Sequence, residues 1–557
     1  DLGQRIPLVG RLERPGQQCV LVHRLRGELR VNAARPQEAE LRDTCPPSRI
    51  DNVRLDLQVV PQEIRRVGVV SVNATHLRGC QEYVFRSLCG EKLLDRCLVA
   101  KIQIRAALEE QAAATDALQL SHDRRTNAGR ALFLDVNGRV LANVEVGALP
   151  DMVTFTPDGK RVLVANEGEP SDDYSTDPEG SVSIIDLPNN IRHLTQARVR
   201  TARFDKFNDA QLDASIRIFG PGATVAQDLE PEYITVSKDS KTAWVTLQES
   251  NAIAVLDIKS GKFTELRGLG FKDHLLSGNE LDVSDRDDRI NITNWPVLGI
   301  YQPDAIASYE YRGNTYIVTA NEGDARAYTG FNEESRFRAL AGSKPVCPDS
   351  GRFNAFYANN EMGITNLSQL RDNANMGRLT VTSATGLRAD GSCYEDIYAF
   401  GARSFPIWTA DLEQVYDSGA DYERVTAEMF PDHFNSNHRE NSFDSRSDDK
   451  GPEPEGVTVA KLWGRTYAFV GLERIGGVMV HDITDPRAPV FVQYLNNRDF
   501  GAAPGTPEAR DLGAEGLMVI EAHKSPIPGV PLLAVANEVS GTTSLFRIGR
   551  DLTPRNP

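Results

Sequence analysis

The sequence lacks the features that mark membrane-spanning and nucleic-acid-binding proteins. No stretch of its 557 residues approaches the roughly 18 consecutive apolar residues that a membrane span requires. Its 62 lysines and arginines are outnumbered by 78 aspartates and glutamates, which leaves a net charge of -16, whereas binding to a phosphate backbone requires a basic face. We therefore predict no transmembrane segment and no nucleic-acid partner. The chain also starts without a basic, then apolar, signal peptide, as a mature exported form would.

Familiar catalytic motifs are also absent from the sequence. It contains no GxSxG, HExxH, P-loop or GxGxxG pattern, and no CxxC pair. His433 and His438 are the only closely spaced histidines, and their position in a polar loop makes them a weak metal signal. Any chemistry would then be attack by a metal-activated water with carboxylates as ligands.

What the chain does contain is a unit that recurs five times. Each copy has an acid at its start, a β-rich run, and a second acid that follows another strand-like run. Such regular self-similarity indicates a repeat architecture. The first acids are Asp151, Glu232, Asp304, Glu455 and Glu515. The second acids are Glu167, Glu249, Glu322, Glu473 and Glu538.

Each copy reads as strand, turn, strand, turn, strand, because β-branched and apolar residues alternate with small or polar ones. Repeated antiparallel sheets arranged radially make a β-propeller. We place a sixth, degenerate unit around residues 377–383 and 398–412, and a seventh unit could be completed by N-terminal strands. The prediction is an all-β, seven-bladed propeller over residues 128–557, with long loop insertions between strands.

Residues 1–127 differ from the rest of the chain. They contain no copy of the repeated unit and hold five of the seven cysteines. The pattern of residues 97–120 predicts a helix. A divergent blade, a separate cysteine-containing domain and misassigned sequence remain open for this segment.

The repeated acids predict a metal site. Equivalent positions of propeller blades form a ring, and so many carboxylates in one ring would demand cations or shift their pKa values. Oxygen ligands favour calcium, or another hard divalent ion, as the bound cofactor. The alternative is that the acids only accept hydrogen bonds from backbone N–H groups or arginines.

Two further groups of residues accompany the ring. Asp282, Asp285 and Asp287 crowd one short loop and predict a weaker second metal site, although a solvated turn is an equal alternative. Five cations lie close in sequence to the acids and could face a phosphate or another oxyanion, or could form ordinary ion pairs. These are Arg326, Arg403, Arg446, Lys450 and Arg474.

Cys347 and Cys393 flank an insertion rich in Asn, Gly and Asp. A disulfide between them would support an extracytoplasmic location, and two free thiols are the alternative.

Several long motifs resemble one known family. The segments LPDMVTFTPDGKRVLVANEGEP, YQPDAIASYEYRGNTYIVTANEGDAR, FDSRSDDKGPEPEGV and LLAVANEVSGTTSLFRI are similar to those of the choice-of-anchor I family of secreted proteins, which includes relatives of the mesenchyme-specific cell surface glycoprotein. The resemblance covers about residues 128–550. It implies a YVTN-like, seven-bladed propeller that is secreted, periplasmic or on the cell surface, and some members are alkaline phosphatase-like.

The functional prediction has three alternatives. The first is an extracytoplasmic, calcium-type metal-binding propeller that hydrolyses phosphate esters, with a phosphorylated small molecule as substrate. The second is a non-catalytic calcium-binding surface, matrix or adhesion protein with a surface or matrix component as partner. The third is a lactonase-like propeller hydrolase, which would need the metal but not the cations.

Overall fold

The fold is all-β, as predicted. The computed structural model describes residues 69–73, 101–105, 112–116, 125–135 and 138–549. Most of the predicted segment 1–127 lies outside these residues. Within the described residues no helix is long and apolar enough to cross a lipid bilayer.

The strands follow the chain at short intervals. In chain order they are β1 (Val69–Asn73), β2 (Lys101–Arg105), β3 (Ala112–Asp116), β4 (Ala128–Leu134), β5 (Val140–Ala148), β6 (Pro150–Phe155), β7 (Arg161–Asn166), β8 (Ser181–Asp186), β9 (Val199–Arg203), β10 (Pro231–Val236), β11 (Thr242–Leu247), β12 (Ala252–Asp257), β13 (Lys262–Gly268), β14 (Phe271–Asp273), β15 (Leu298–Ile300), β16 (Ile306–Tyr311), β17 (Asn314–Thr319), β18 (Glu334–Arg336), β19 (Thr380–Thr382), β20 (Tyr398–Ala399), β21 (Pro406–Thr409), β22 (Gln414–Asp417), β23 (Pro454–Leu462), β24 (Arg465–Leu472), β25 (Val478–Asp482), β26 (Val490–Leu495), β27 (Ala514–Ile520), β28 (Leu532–Asn537) and β29 (Thr542–Arg547).

The helices are short and lie in the connections. They are α1 (Val225–Asp228), α2 (Phe337–Ser343), α3 (Gly351–Asn359), α4 (Leu367–Leu370) and α5 (Asp421–Met429). Single 3₁₀ turns occur at Ile191–His193, Gln196–Arg198, Asp205–Phe207, Met376–Arg378, Pro431–His433 and Pro507–Ala509.

The described strands form six antiparallel sheets and one mixed sheet. In chain order, sheet 1 contains β1 to β5, sheet 2 contains β6 to β9, sheet 3 contains β10 to β13, sheet 4 contains β16, β17, β21 and β22, sheet 5 contains β23 to β26, and sheet 6 contains β27 to β29. The mixed sheet has the order β14-β15-β20-β19-β18, with β15 and β20 parallel.

The first strands of successive sheets pack side by side. β6 contacts β10, β10 contacts β16, β16 contacts β23, and β23 contacts β27. The series returns to its start because β27 contacts β1, while β2 and β3 contact β6. A radial arrangement of sheets requires this order of contacts. The propeller and its count of seven blades stay predictions, and the mixed sheet stands outside the series.

The tight hairpins that join the first two strands of sheets 2 and 3 have the predicted turn chemistry. Between β6 and β7, the Thr156 hydroxyl donates to Asp158 Oδ1 at 2.6 Å, and Gly159 adopts a φ of 68°. The corresponding turn of sheet 3 repeats the pattern, because Ser237 donates to Asp239 at 2.8 Å and Ser240 takes a φ of 60°. These local bonds set the register of each hairpin.

Apolar faces of neighbouring sheets form the core. Leu163 and Ile184 of sheet 2 share one buried cluster with Val245 and Leu256 of sheet 3. Sheets 4 and 5 share a second cluster and sheets 5 and 6 a third. Full burial of one such aliphatic side chain contributes roughly 1.5–3 kcal/mol, so the sheets are held to one another by their faces.

Two local predictions are wrong. The predicted helix over residues 97–120 is replaced by β2 and β3, because the alternation in KIQIR suits a strand and outweighs the helix-forming alanines that follow. The expected degenerate unit is not one sheet. Its first part supplies β19 to the mixed sheet, while its second part supplies β20 to that sheet and β21 to sheet 4. β21 joins sheet 4 because Ile407 pairs with Val318 and packs in that core.

The long insertion between β17 and β21 forms a compact unit of its own. Helices α2 and α3 pack with the mixed sheet around Phe337, Phe353 and Val381. The predicted disulfide is present between Cys347 and Cys393, which are 46 residues apart. It ties the start of the insertion to the segment that precedes β20.

Candidate metal centre

The two acids of each repeat lie at the same end of one hairpin. Pro150 pairs with Asn166 across β6 and β7, so Asp151 and Glu167 each follow a paired residue. The same offset places Glu455 beside Glu473 in sheet 5 and Glu515 beside Glu538 in sheet 6. In sheet 3, Glu232 follows the pair of Pro231 and Leu247, and Glu249 lies one residue further on. The recurring spacing in the sequence is therefore the length of a hairpin.

A bulge marks the position of the first acid in four sheets. The register shifts occur between Pro150 and Val153, Pro231 and Ile234, Pro454 and Val457, and Ala514 and Gly516. Bulges leave residues out of the ladder and change the direction of their side chains. The first acid therefore does not follow the regular alternation of side-chain directions along its strand.

A glycine after the acid allows neighbouring first strands to approach closely. A Cβ placed on Gly456, next to Glu455, would come within 1.7 Å of the carbonyl oxygen of Glu515. No side chain fits in that space, so the motif PEG brings the first acids of sheets 5 and 6 together.

The side-by-side packing gathers carboxylates from different sheets into two equivalent trios. Trio A consists of Asp151, Glu167 and Glu232, and trio B of Asp304, Glu322 and Glu455. In each trio, one carboxylate oxygen from each residue lies within 4.8 Å of the others. Each trio combines both acids of one sheet with the first acid of the next. Six of the ten predicted ligands therefore meet in groups that could hold an ion.

Burial and mutual repulsion raise the pKa values of these acids. Burial, followed by the charges of Glu167 and Asp151, raises the pKa of Glu232 well above its usual value. Burial, followed by the charges of Glu515 and Glu473, does the same to the pKa of Glu455.

The pKa values of the second acids are raised as well. Burial raises the pKa of Glu322 to about 7, although the charge of Lys450 acts in the opposite direction. Burial also raises the pKa values of Glu249 and Glu473 to about 8. Without a cation, several of these acids therefore carry protons near neutral pH.

Among the described residues, two of the ten repeated acids have a buried carboxylate oxygen with neither a hydrogen-bond partner nor an ion-pair partner. The two oxygens are Oε2 of Glu455, a member of trio B, and Oε2 of Glu249, the second acid of sheet 3. A buried carboxylate oxygen without a partner is costly, because it has lost its water. Such an oxygen in trio B has the position and the chemistry of a metal ligand.

Three of the five predicted cations surround Glu453, a residue that the repeat pattern did not single out. Lys450 Nζ lies 3.1 Å from Glu453 and 3.2 Å from Glu322. Arg474 Nε lies 2.8 Å from Glu453 and 3.0 Å from Glu473, and Arg446 forms an ion pair with Glu453. Glu453 stands two residues before Glu455 in GPEPEG. The Pro-Glu step occurs twice there, and this repetition is the sequence signal that could have identified Glu453.

The third group of clustered acids is therefore already neutralised. Glu322, Glu453 and Glu473 lie within 4.8 Å of one another, as in the trios. Burial acts to raise the pKa of Glu453, but the charges of Arg446, Arg474 and Lys450 hold it well below its usual value. Internal cations take the place of a metal in this group.

The other two cations are buried in ion pairs away from solvent. Arg326 bonds to Asp228 at 2.5 Å and to Glu230 at 3.1 Å. Arg403 bonds to Glu423 at 2.5 Å and to the Asp282 carbonyl at 2.7 Å. Arg326 and Arg403 therefore form the ordinary ion pairs that were the alternative to binding a phosphate.

The histidine pair is not brought together at one site. The ring of His433 stacks on Phe500 with centroids 4.4 Å apart. His438 Nδ1 lies 3.0 Å from Glu473, and burial lowers the pKa of His438 to about 3. His438 is therefore a neutral neighbour of the neutralised group.

The loop with the predicted second site is partly used for ion pairs. Asp285 bonds to Arg378 at 2.5 Å, and Asp287 Oδ2 bonds to Arg289 at 3.1 Å. Asp282 is fully buried and accepts hydrogen bonds from the backbone of Ser284 and Asn291.

The chain belongs to the choice-of-anchor I family. The model of the choice-of-anchor I domain matches residues 107–486, which include trios A and B.

Two named relatives are similar to this chain. Gigasin-3a of Magallana gigas is 30% identical over 204 residues, which are 34% of this chain and 71% of the relative. The mesenchyme-specific cell surface glycoprotein of Strongylocentrotus purpuratus is 27% identical over 310 residues, or 50% of this chain. The match spans only 38% of that glycoprotein.

Similarity to solved structures is remote. Hydrazine synthase of Kuenenia stuttgartiensis is 13% identical with a TM-score of 0.36, over 81% of this chain and 86% of that one. A putative 6-phosphogluconolactonase of Bacteroides uniformis is also 13% identical, with a TM-score of 0.32 over 79% and 82% of the two chains.

Proposed function

We propose that this protein is an extracellular surface or matrix protein that binds divalent cations of the calcium type through trios A and B. The observation that carries the proposal is the repetition of the trios. Equivalent positions of different sheets bring three carboxylates together twice, although the connecting loops differ completely. A role in capping single strands would not require carboxylates of neighbouring sheets to meet.

The spacing of the oxygens allows them to share one calcium ion. Two ligands of one ion cannot be further apart than twice the metal–oxygen bond, which is about 5 Å for calcium. Oxygens within 4.8 Å of one another satisfy the limit for calcium. Three carboxylates, completed by water, would also supply the hard oxygen ligands that calcium prefers.

Two observations support a location outside the cytoplasm. The disulfide between Cys347 and Cys393 is typical of oxidising compartments. One relative is named as a cell surface glycoprotein. A matrix or surface component that shares calcium with the trios is the partner class that fits this proposal.

The arrangement of the cations favours binding over catalysis. All five residues expected to face a phosphate contact carboxylates, and three of them converge on Glu453. A phosphate ester would have to displace Glu453 from these partners. Phosphate-ester hydrolysis and lactone hydrolysis stay predictions that a direct assay can test.

The test combines metal analysis with an activity assay. The purified full chain is dialysed against calcium, then against chelator, and bound metal is counted by plasma mass spectrometry while phosphate release is followed on a general phosphate ester. We expect bound calcium and no turnover. Glu232→Gln and Glu455→Gln should each lower the bound calcium, and Glu413→Gln, an exposed acid elsewhere, should not. Calcium content that is the same in all three variants would refute the proposal.

A further inference from the structure

Three carboxylate or amide oxygens are buried without partners between two loops outside trios A and B. They are Oδ1 of Asp287 in the loop 281–291, and Oδ2 of Asp444 and Oδ1 of Asn435 in the segment 434–449. Asp444 is 2% exposed and Asn435 is completely buried, and the side chain of Asp287 is 5% exposed. All three atoms accept hydrogen bonds or bind cations when the two carboxylates are ionised.

Hydrogen bonds connect Asp444 and Asn435 to the loop 281–291, and Asp287 of that loop lies close enough for its charge to act on Asp444. Ser447 donates to Asp444 Oδ1 at 2.5 Å, and Asn435 Nδ2 donates to Ser447 Oγ at 2.8 Å. Asn435 also donates to Glu423 at 2.9 Å, and the other oxygen of Glu423 accepts the backbone N–H of Asp282 at 3.0 Å. The two loops therefore meet through Glu423, and the opposite atoms of the same side chains remain unused.

The negative charge of the cluster is only partly balanced. Arg403 neutralises Glu423, and Arg289 contacts only the other oxygen of Asp287. Asp282 accepts only neutral backbone donors. Burial, followed by the charge of Asp282, raises the pKa of Asp444 to about 9, and Asp287 and Glu423 add to this effect. Burial likewise raises the pKa of Asp282 to about 7.

We propose that this cluster is a second site for a hard divalent cation such as calcium, with Asp287, Asp444 and Asn435 as ligands and Asp282 beside them. Carboxylate and amide oxygens are typical ligands of calcium. The ion would satisfy the three oxygens and would join the loop 281–291 to the segment 434–449, which leads into sheet 5. Sequence patterns singled out the acids of the loop 281–291 but only His438 and Arg446 in the segment 434–449. Asp285 is not one of the ligands because it is held by Arg378.

The proposal does not depend on trios A and B, and the test separates the two. Calcium is counted per chain in the full-length protein by equilibrium dialysis. The variants are Asp444→Asn, with Asp285→Asn as a control in the same cluster of loops that makes the same change of charge. We expect Asp444→Asn to bind one ion fewer than the unmodified chain and Asp285→Asn to bind the same number.

A second measurement guards against misfolding. Asp444 is buried close to Asp282, Asp287 and Glu423, so Asn, which removes its charge, should leave the melting temperature in chelator unchanged or higher. The rise in melting temperature on adding calcium should be smaller in Asp444→Asn than in the unmodified chain. If Asp444→Asn does not fold, Asp287→Asn takes its place with the same expectation. An unchanged calcium count and an unchanged calcium-induced rise would overturn the proposal and leave Asp444 as a buried, protonated acid.

Discussion

Replacing Glu455 by Gln is the most informative perturbation of this protein. Glu455 belongs to trio B, has a buried oxygen without a hydrogen-bond partner, and lies in the bulge near the start of β23. Gln has nearly the same shape but no charge. The substitution therefore removes a charge from the proposed ion site and leaves the packing of β23 intact.

The size of the effect follows from ligand linkage. Calcium at 100 times its dissociation constant stabilises the folded chain by about 2.7 kcal/mol. If the lost carboxylate weakens binding about tenfold, the same calcium concentration stabilises the variant by only about 1.4 kcal/mol. For a chain of this size the original effect corresponds to a rise in melting temperature of at most roughly 5 °C, and the variant should show about half of it.

Proton release gives an independent measure of the same site. At pH 7, Glu322, with a pKa of about 7, is about half protonated, and burial raises the pKa of Glu455 well above its usual value. Calcium must displace these protons. Glu455→Gln should therefore release fewer protons per bound ion, because an amide has none to give.

The assay is titration calorimetry with calcium in two buffers of different ionisation enthalpy, together with thermal unfolding in chelator and in calcium. In chelator the variant should be as stable as the unmodified chain or more stable, since the repulsion among the acids is reduced. Glu413→Gln is the matched control. Equal proton release and an equal calcium-induced rise in melting temperature in Glu455→Gln would refute the assignment of trio B.

Four other predictions test different parts of the structure. Glu322→Gln should reduce bound metal, and any activity with it; full activity with unchanged metal content would contradict the ligand assignment. In chelator, the folded-state pKa values of Glu322, Glu249 and Glu473 lie above those of the unfolded chain, so their contribution to the free energy of unfolding is complete below about pH 4.5 and is lost as the pH rises to about 8. In a pH series of urea titrations, the loss of the free energy of unfolding should be smaller in calcium than in chelator. Equal losses in the two conditions would count against ion binding. Arg403→Met should lower the free energy of unfolding by about 3–5 kcal/mol because Glu423 is left buried without its partner, and Arg403→Met/Glu423→Leu should recover part of it; a variant that stays stable and loses only anion binding would restore Arg403 as an anion ligand. Cys347→Ser/Cys393→Ser should cost about 4 kcal/mol for a loop of 46 residues, seen as faster proteolysis of the insertion, and an unchanged rate would show that the disulfide is dispensable.

Local sequence signals predicted the repeated part of the fold well. The alternation in RVLVAN and SVSIID and the Asp-Gly turn between β6 and β7 act within a few residues, so they could be found without knowledge of the fold. The acids at both ends of each hairpin could be predicted for the same reason. The helix predicted over residues 97–120 failed because its alanines have a weak preference that strand pairing overrides.

Contacts between distant segments could not be predicted in this way. Glu453 is only one more acid in GPEPEG until Lys450, Arg446 and Arg474 surround it. Asp444 and Asp287 are more than 150 residues apart, and no spacing relates them. The division of residues 377–412 between two sheets likewise depends on where Ile407 finds its apolar partners.

The sequence by itself determined the all-β class and the position of two acids on each repeated hairpin. These properties follow from short-range periodicity and turn chemistry, whereas the sequence leaves two free thiols as an alternative to the bond between Cys347 and Cys393, which the structure shows. Only the tertiary structure decided which acids meet as trios A and B, which acids are neutralised by internal cations, and which oxygens stay buried without partners. The physical reason is that charge, desolvation and ion coordination depend on distances of a few ångströms between residues far apart in the chain, and packing of the sheets sets those distances.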